Sequence, residues 1–149
     1  MQLPGIRVLP IMMALLLAGP AIAKDDPTAP ASTPTASSLP AGAKSPRASN
    51  KWRISFDESS KTDGQIIFRV WPKGSDPIEV SVVVRKGQQE NSIARSARDA
   101  FKAALGKGYG VETDDGEDVL IKVKGKTANF GLELVSSSAK DVDIDLDRE

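Results

Sequence analysis

Residues 79–105 read EVSVVVRKGQQENSIARSARDAFKAAL, and the spacing of the apolar side chains changes within this stretch. Val80, Val82 and Val84 share one face, which predicts a β-strand because side chains alternate between the two faces of a strand. After Gly87 the apolar residues recur at intervals of three and four, which predicts an amphipathic helix. The stretch therefore indicates a domain that combines both kinds of element.

The predicted helix has one apolar stripe, formed by Ile93, Ala97, Ala100, Phe101, Ala104 and Leu105. We expect Asn91 or Ser92 to cap its N-terminus, because short polar side chains accept hydrogen bonds from the free amides there. We expect Gly106 to end it. The opposite face is basic and carries Arg95, Arg98 and Lys102. A solvated surface is a more ordinary interpretation of that face than a site for an anionic polymer.

Six further segments alternate with a period of two, on both sides of the helix. The residues that share one face in each are Trp52, Ile54 and Phe56; Ile66, Phe68 and Val70; Tyr109, Val111 and Thr113; Val119, Ile121 and Val123; Phe130, Leu132 and Leu134; and Val142, Ile144 and Leu146. Asp115-Gly116 predicts a tight hairpin turn. The sequence therefore predicts an α+β fold with seven mostly antiparallel strands and one helix, in the order βββ-α-ββββ.

One helix is too small to cover seven strands that lie side by side. A fifteen-residue helix is about 22 Å long and about 10 Å wide, whereas seven strands span about 34 Å. The helix would cover two or three of them. We therefore expect a strongly curved sheet wrapped around the helix, with one edge or face left for binding.

The composition divides the chain into three parts. Residues 1–23 are typical of a secretory signal peptide, since an apolar run at 11–17 is followed by Pro20 and by the small-x-small pattern Ala21-Ile22-Ala23. Residues 24–50 are rich in Pro, Ala, Ser and Thr and predict a disordered tail. All aromatic residues follow, so we place the folded domain at 51–149. We expect a periplasmic or secreted protein with no membrane attachment after cleavage.

The composition also excludes several classes of site and of partner. The chain has no cysteine and no histidine, so it forms no disulfide, no Cys/His zinc site and no histidine-dependent catalytic triad. Its 20 basic and 20 acidic residues balance, which argues against a nucleic-acid partner. We expect no cofactor and assign no catalytic residue.

Two acidic clusters raise the question of a metal site. In residues 141–149 aspartates alternate along one strand, about 6.6–6.8 Å apart. That spacing is too wide to share a calcium ion, whose ligand oxygens lie at about 2.3–2.6 Å. A solvated strand face, opposite Lys122 and Lys124, is the simpler interpretation. The second cluster surrounds Gly116 and lacks the spacing of a calcium-binding EF-hand loop. We expect neither cluster to bind a metal.

A candidate binding stripe lies on the second strand. Ile67, Arg69 and Trp71 fall opposite the face that carries Phe68. If the Phe68 face is core, the three residues form an exposed apolar and basic stripe, and Trp and Arg are frequent binding hot spots. The alternative is a strand that is buried on both faces.

The function favoured by the sequence is a non-catalytic exported domain that binds another envelope protein through a sheet edge or the Trp71 stripe. One alternative is a structural module that self-associates. Another is a small hydrolase that uses carboxylates. The sequence leaves the oligomeric state open.

The stretch from Glu79 to Val135 resembles the strand–helix–hairpin module of flagellar hook-associated and phage tail proteins. The similar features are the valine-rich strand, Gly87, the alanine-rich helix from Asn91 to Leu105 and the hairpin at Gly116. This resemblance implies a structural module that decorates or joins larger assemblies, with no catalytic residues to carry over. The chain as a whole also resembles the small uncharacterised exported proteins of Gram-negative bacteria, which implies a location and no activity.

Overall fold

The computed structural model describes residues 44–149. The signal peptide predicted at 1–23 and most of the tail predicted at 24–50 lie outside the described residues. Within them the elements are β1 (Lys51–Asp57), β2 (Gly64–Pro72), β3 (Ile78–Val84), α1 (Glu90–Ala104), β4 (Tyr109–Asp114), β5 (Asp118–Val123), β6 (Phe130–Ser137) and β7 (Asp143–Arg148). All strand pairings between them are antiparallel. The predicted α+β class, with seven strands and one helix, is confirmed.

The strands form two sheets, where the sequence predicted a single curved one. One sheet has the order β4-β5-β1-β7 and the other the order β3-β2-β6. The physical reason is that two sheets with one apolar face each can cover one another. The helix then needs to cover only what remains, and it packs against β3, β4, β1 and β5.

The core lies between the two sheets and the helix. Phe68 of β2 is at its centre: its ring centroid is 6.3 Å from that of Phe56 on β1 and 5.3 Å from that of Phe101 on α1. All three side chains are fully buried. The alternation read from the first three strands is confirmed, since their buried residues are Trp52, Ile54, Phe56, Ile66, Phe68, Val70, Val80, Val82 and Val84.

The helix begins earlier than the sequence indicated. Its N-cap is Gln89, whose side chain makes no capping hydrogen bond, so the prediction that Asn91 or Ser92 caps it was wrong. The preceding loop sets the start instead. The amide of Gly87 donates to the carbonyl of Ser60 at 2.7 Å, and the amide of Ser60 donates to the carbonyl of Gln88 at 3.0 Å. These bonds fix the direction of the chain immediately before the N-cap.

The helix ends close to the predicted position. Leu105 is the C-cap, and its amide donates to the carbonyl of Phe101 at 2.9 Å. Gly106 follows in the left-handed region, with φ +27°. Among residues 44–149, no helix is long and apolar enough to span a membrane.

A short extension of β1 links the two sheets. Ser49 and Phe130 exchange two backbone hydrogen bonds, of 2.9 and 3.0 Å. The indole Nε1 of Trp52 also donates to the carbonyl of Phe130, at 3.0 Å in a buried position. The start of β6 is thereby fixed to the start of β1.

Candidate functional site

The candidate site is the outer face of the three-stranded sheet, the side that points away from the core. Because Ile66, Phe68 and Val70 are buried, the alternate residues of β2 lie on this face. The register places neighbouring residues from β3 and β6 beside them. The outer face therefore comprises Ile67, Arg69 and Trp71 of β2, Glu79, Ser81 and Val83 of β3, and Gly131 and Glu133 of β6.

Arg69 is held between two carboxylates from the flanking strands. Its guanidinium nitrogens lie 3.1 Å from Glu133 Oε1 and 3.5 Å from Glu79 Oε2. Only 13% of the Arg69 side chain is exposed. The cation is thus compensated across the sheet and fixed in one place. Arg69 supplies a rigid support for its neighbours rather than a free positive charge.

The exposed large apolar side chains of the described residues all lie on the two outer strands of this sheet. Val83 on β3 is 54% exposed, and Leu134 and Val135 on β6 are 37% and 41% exposed. Leu134 is the register partner of the buried Phe68 and lies on the inner side of the sheet, whereas Val135 is at a bulge. The register shifts between Ile67 and Phe68, so Val135 is an extra residue that faces no partner on β2.

A cleft opens beside Trp71, with a volume of about 750 Å³. Its walls are the turn after β2, the turn before β6 and the segment that precedes β1. They comprise Ser45, Ala48, Trp71, Pro72, Lys73, Gly74, Ser75, Ala128 and Asn129. Lys73 is the one charged residue among them. The indole Nε1 of Trp71 is buried and has no hydrogen-bond partner among the described residues.

Pro46 lies on the outer face next to this cleft. Gly131 is the register partner of Trp71, and a Cβ placed on Gly131 would lie 2.9 Å from Cγ of Pro46 and 3.0 Å from its carbonyl oxygen. Gly131 is buried although its strand position faces outward. Pro46 therefore fills the space that a side chain at position 131 would occupy.

The structure brings the three predicted site residues together. Ile67, Arg69 and Trp71 form one row on the outer face, and each is half-buried. They match neither simple alternative, since they are neither an open stripe nor fully buried. The sequence reasoning missed Gly131 and Pro46. A glycine inside an alternating strand is a sign of close backbone approach, but nothing in the Pro-rich segment marks which proline makes that approach.

The opposite outer face, on the four-stranded sheet, holds a network of ion pairs around Arg53. Its guanidinium lies 2.6 Å from Asp118, 2.6 Å from Glu149 and 3.3 Å from Asp114. Lys51 also contacts Glu149. The hydrogen bonds to Asp118 and then Glu149 raise the pKa of Arg53. Lys51, followed by Arg53, holds the pKa of Glu149 below its usual range.

The acidic side chains of the four-stranded sheet either form ion pairs with lysine and arginine or are exposed to solvent. Lys122 contacts Glu112 at 2.6 Å, which lowers the pKa of Glu112. The aspartates of β7 face β1 and not β5, so the expectation that they lie opposite Lys122 and Lys124 was wrong. The reason is that β1 lies between β7, which carries the aspartates, and β5, which carries Lys122. In the part of the chain that the structure describes, no group of three or more acidic side chains is placed to hold a metal ion.

No protein-family model matches this chain, and neither a curated protein nor a solved structure is detectably similar to it. The resemblances to flagellar, phage tail and exported proteins therefore remain predictions.

Proposed function

We propose that this chain is a non-catalytic exported protein, periplasmic or secreted, that binds another protein of the cell envelope. The proposed docking surface is the outer face of the three-stranded sheet, with Trp71 as its anchor. Neither a cofactor nor a nucleic acid takes part. The observation that carries the proposal is the presence, on this one outer face, of the exposed Val83 and the Trp71 cleft.

The physical character of the face supports a docking role. Tryptophan is enriched among the residues that contribute most to binding energy at protein interfaces. Arg69, Glu79 and Glu133 compensate one another's charge, so a partner would not have to neutralise an unpaired ion when it covers them. The ion pairs also keep the row of β2 in place, which lowers the entropy lost on binding.

Two glutamates of the four-stranded sheet are poorly suited to act as the general acid of a hydrolase. A carboxylate hydrolase needs a general acid whose pKa is raised towards neutrality. Hydrogen bonds from lysine and arginine shift the pKa of Glu112 and Glu149 in the opposite direction. These carboxylates serve the ion-pair network of the four-stranded sheet.

Site-specific photo-crosslinking in the cell that makes the protein tests the proposal. A photoreactive amino acid replaces Val83, which is on the proposed face and 54% exposed. The matched control carries it at Glu112, which is exposed on the other sheet. We expect position 83, and not 112, to give an adduct with one envelope protein. Trp71→Ala should abolish that adduct while the circular dichroism spectrum stays unchanged.

Two results would contradict the docking surface: equal yields from positions 83 and 112, or an adduct that survives Trp71→Ala. An adduct of the chain with itself alone would replace the proposal by the self-associating module.

A further inference from the structure

The outer face already binds a peptide segment, which belongs to the same chain. Residues 44–48 belong to no helix or strand, and the pairing of Ser49 with Phe130 fixes their C-terminal end. Pro46 packs on the backbone of Gly131, and Gly131 is the register partner of Trp71. Ser45 and Ala48 line the cleft with the indole. The chemistry of this segment therefore indicates which kind of ligand fits the outer face beside Trp71.

The groove between Trp71 and Gly131 suits a proline ring. Trp71 is the register partner of Gly131, so the indole flanks the bare glycine backbone that Pro46 contacts, and Pro72 lines the adjoining cleft. Aromatic-lined grooves select proline-containing extended segments because proline loses little entropy on binding and has apolar ring faces. A side chain at position 131 would close the groove.

The indole that flanks the Pro46 contact keeps one hydrogen-bond donor unused. Trp71 Nε1 is a buried donor without a partner in residues 44–149, and an unsatisfied buried donor costs about 1–3 kcal/mol. A ligand that places its proline against the indole and a backbone carbonyl on Nε1 would remove this cost. Pro46 accordingly occupies the groove as an imperfect ligand.

We propose that the groove between Trp71 and Gly131 binds a proline-containing extended segment of the partner. Pro46 of the same chain occupies this groove until the partner displaces it. This inference rests on the proposed docking function and specifies the chemistry of the partner.

Because residues 44–48 already occupy the groove, they should weaken the binding of a free peptide. A tethered competitor has an effective concentration in the millimolar range, and the apparent affinity falls with the fraction of open groove. Pro46→Ala should therefore tighten binding of a proline peptide at least about fivefold. Trp71→Ala should abolish binding.

Nuclear magnetic resonance on the chain without residues 1–23 tests the inference. The probe is the capped peptide AKSPRAS, which copies residues 43–49, and the control peptide has alanine in place of its proline. The readout is the indole Nε1–H signal of Trp71, which is identified by its absence from the spectrum of Trp71→Phe because the chain has two tryptophans. We expect AKSPRAS to shift this signal in the Pro46→Ala chain, more weakly in the unchanged chain, and the control peptide to have no effect.

Gly131→Ala provides a second, independent variant. The added methyl fills the floor of the groove, so the peptide should not shift the Trp71 signal even though Trp71 is present. The inference is overturned if AKSPRAS shifts the signal in no variant, if the alanine peptide shifts it equally, or if Gly131→Ala leaves binding unchanged. A failed peptide experiment alongside a Trp71-dependent adduct at position 83 would reject the proline ligand and retain the docking surface.

Discussion

The indole of Trp52 and the carbonyl of Phe130 form a buried hydrogen bond of 3.0 Å between residues 78 positions apart. Because Trp52 is on β1 and Phe130 begins β6, this bond connects the two sheets at the end where the Pro46 segment enters. The backbone amide of Ser49 donates to the same carbonyl at 2.9 Å. The geometry of the Trp71 cleft therefore depends on a contact in the core.

Trp52→Phe should lower the free energy of unfolding by about 1–3 kcal/mol, because it removes this hydrogen bond and leaves a small void. Urea unfolding followed by circular dichroism measures the change. The control is Trp71→Phe. Because Trp71 is only half-buried, this substitution should lower the free energy of unfolding by less than Trp52→Phe does. Equal costs would show that the bond between the sheets contributes nothing.

Phe68→Ala should be among the most damaging single substitutions, with a loss of about 3–5 kcal/mol. Phe68 contacts aromatic rings from both the other sheet and the helix, so its removal opens a cavity where three elements meet. Val83→Ala on the same sheet is the control, and its exposed position predicts a change within about 0.5 kcal/mol. Thermal unfolding of both variants checks the contrast.

Glu149 should make the stability of the domain sensitive to acid. Its pKa is lowered in the folded state by Lys51 and Arg53, so its contribution is present above the unfolded pKa, about 4.3. The contribution is lost as the pH falls through the folded pKa. Glu149→Gln should therefore reduce the urea midpoint at pH 7 and have little effect near pH 2.

The control for this titration is Asp147→Asn. Asp147 lies on the same sheet and forms no ion pair with a residue in 44–149, so its replacement should lower the urea midpoint at pH 7 by less than Glu149→Gln does. A Glu149→Gln variant that loses the same stability at both pH values would contradict the ion-pair explanation. Urea midpoints across pH 2–7 measure both variants.

The aspartates of β7 should protect that edge of the four-stranded sheet. β7 is the last strand, and charged side chains on edge strands prevent pairing with other chains. Replacing three of them with threonine should leave the fold intact and cause concentration-dependent association, visible by light scattering. The substitutions are Asp143→Thr, Asp145→Thr and Asp147→Thr.

Removal of three charges from loops provides the matched control. Asp76→Asn, Glu58→Gln and Asp115→Asn change the net charge equally at positions outside the strands. If this variant associates as strongly as the β7 variant, net charge and not the edge position explains the effect.

The sequence predicted the elements of this fold better than their arrangement. Alternation identifies the buried face of the first three strands, as at Phe68, and it correctly places Trp71 opposite that face. Alternation does not determine which strands pair. β1 pairs with β5 and β7, and the contact of Arg53 with Glu149 joins residues 96 positions apart. No local pattern encodes such a distant contact, so the division into two sheets was not predictable.

The candidate site was predictable to a similar extent. The alternation of side chains along a strand is enough to predict that Ile67, Arg69 and Trp71 form one row. The segment that covers Gly131 was not predictable, because the composition around Pro46 favours a solvated tail. Its position depends on the pairing of Ser49 with Phe130, which is again a distant contact.

The central position of β1 has a consequence for biosynthesis. This strand is made first, but both of its neighbours in the sheet lie at least 60 residues later in the chain, and β7 ends at Arg148. At a synthesis rate of about 5–20 residues per second, the nascent chain waits several seconds with β1 unpaired. The four-stranded sheet therefore cannot be completed until β7 has been synthesised, so β1 stays without either of its strand neighbours while most of the described residues are made.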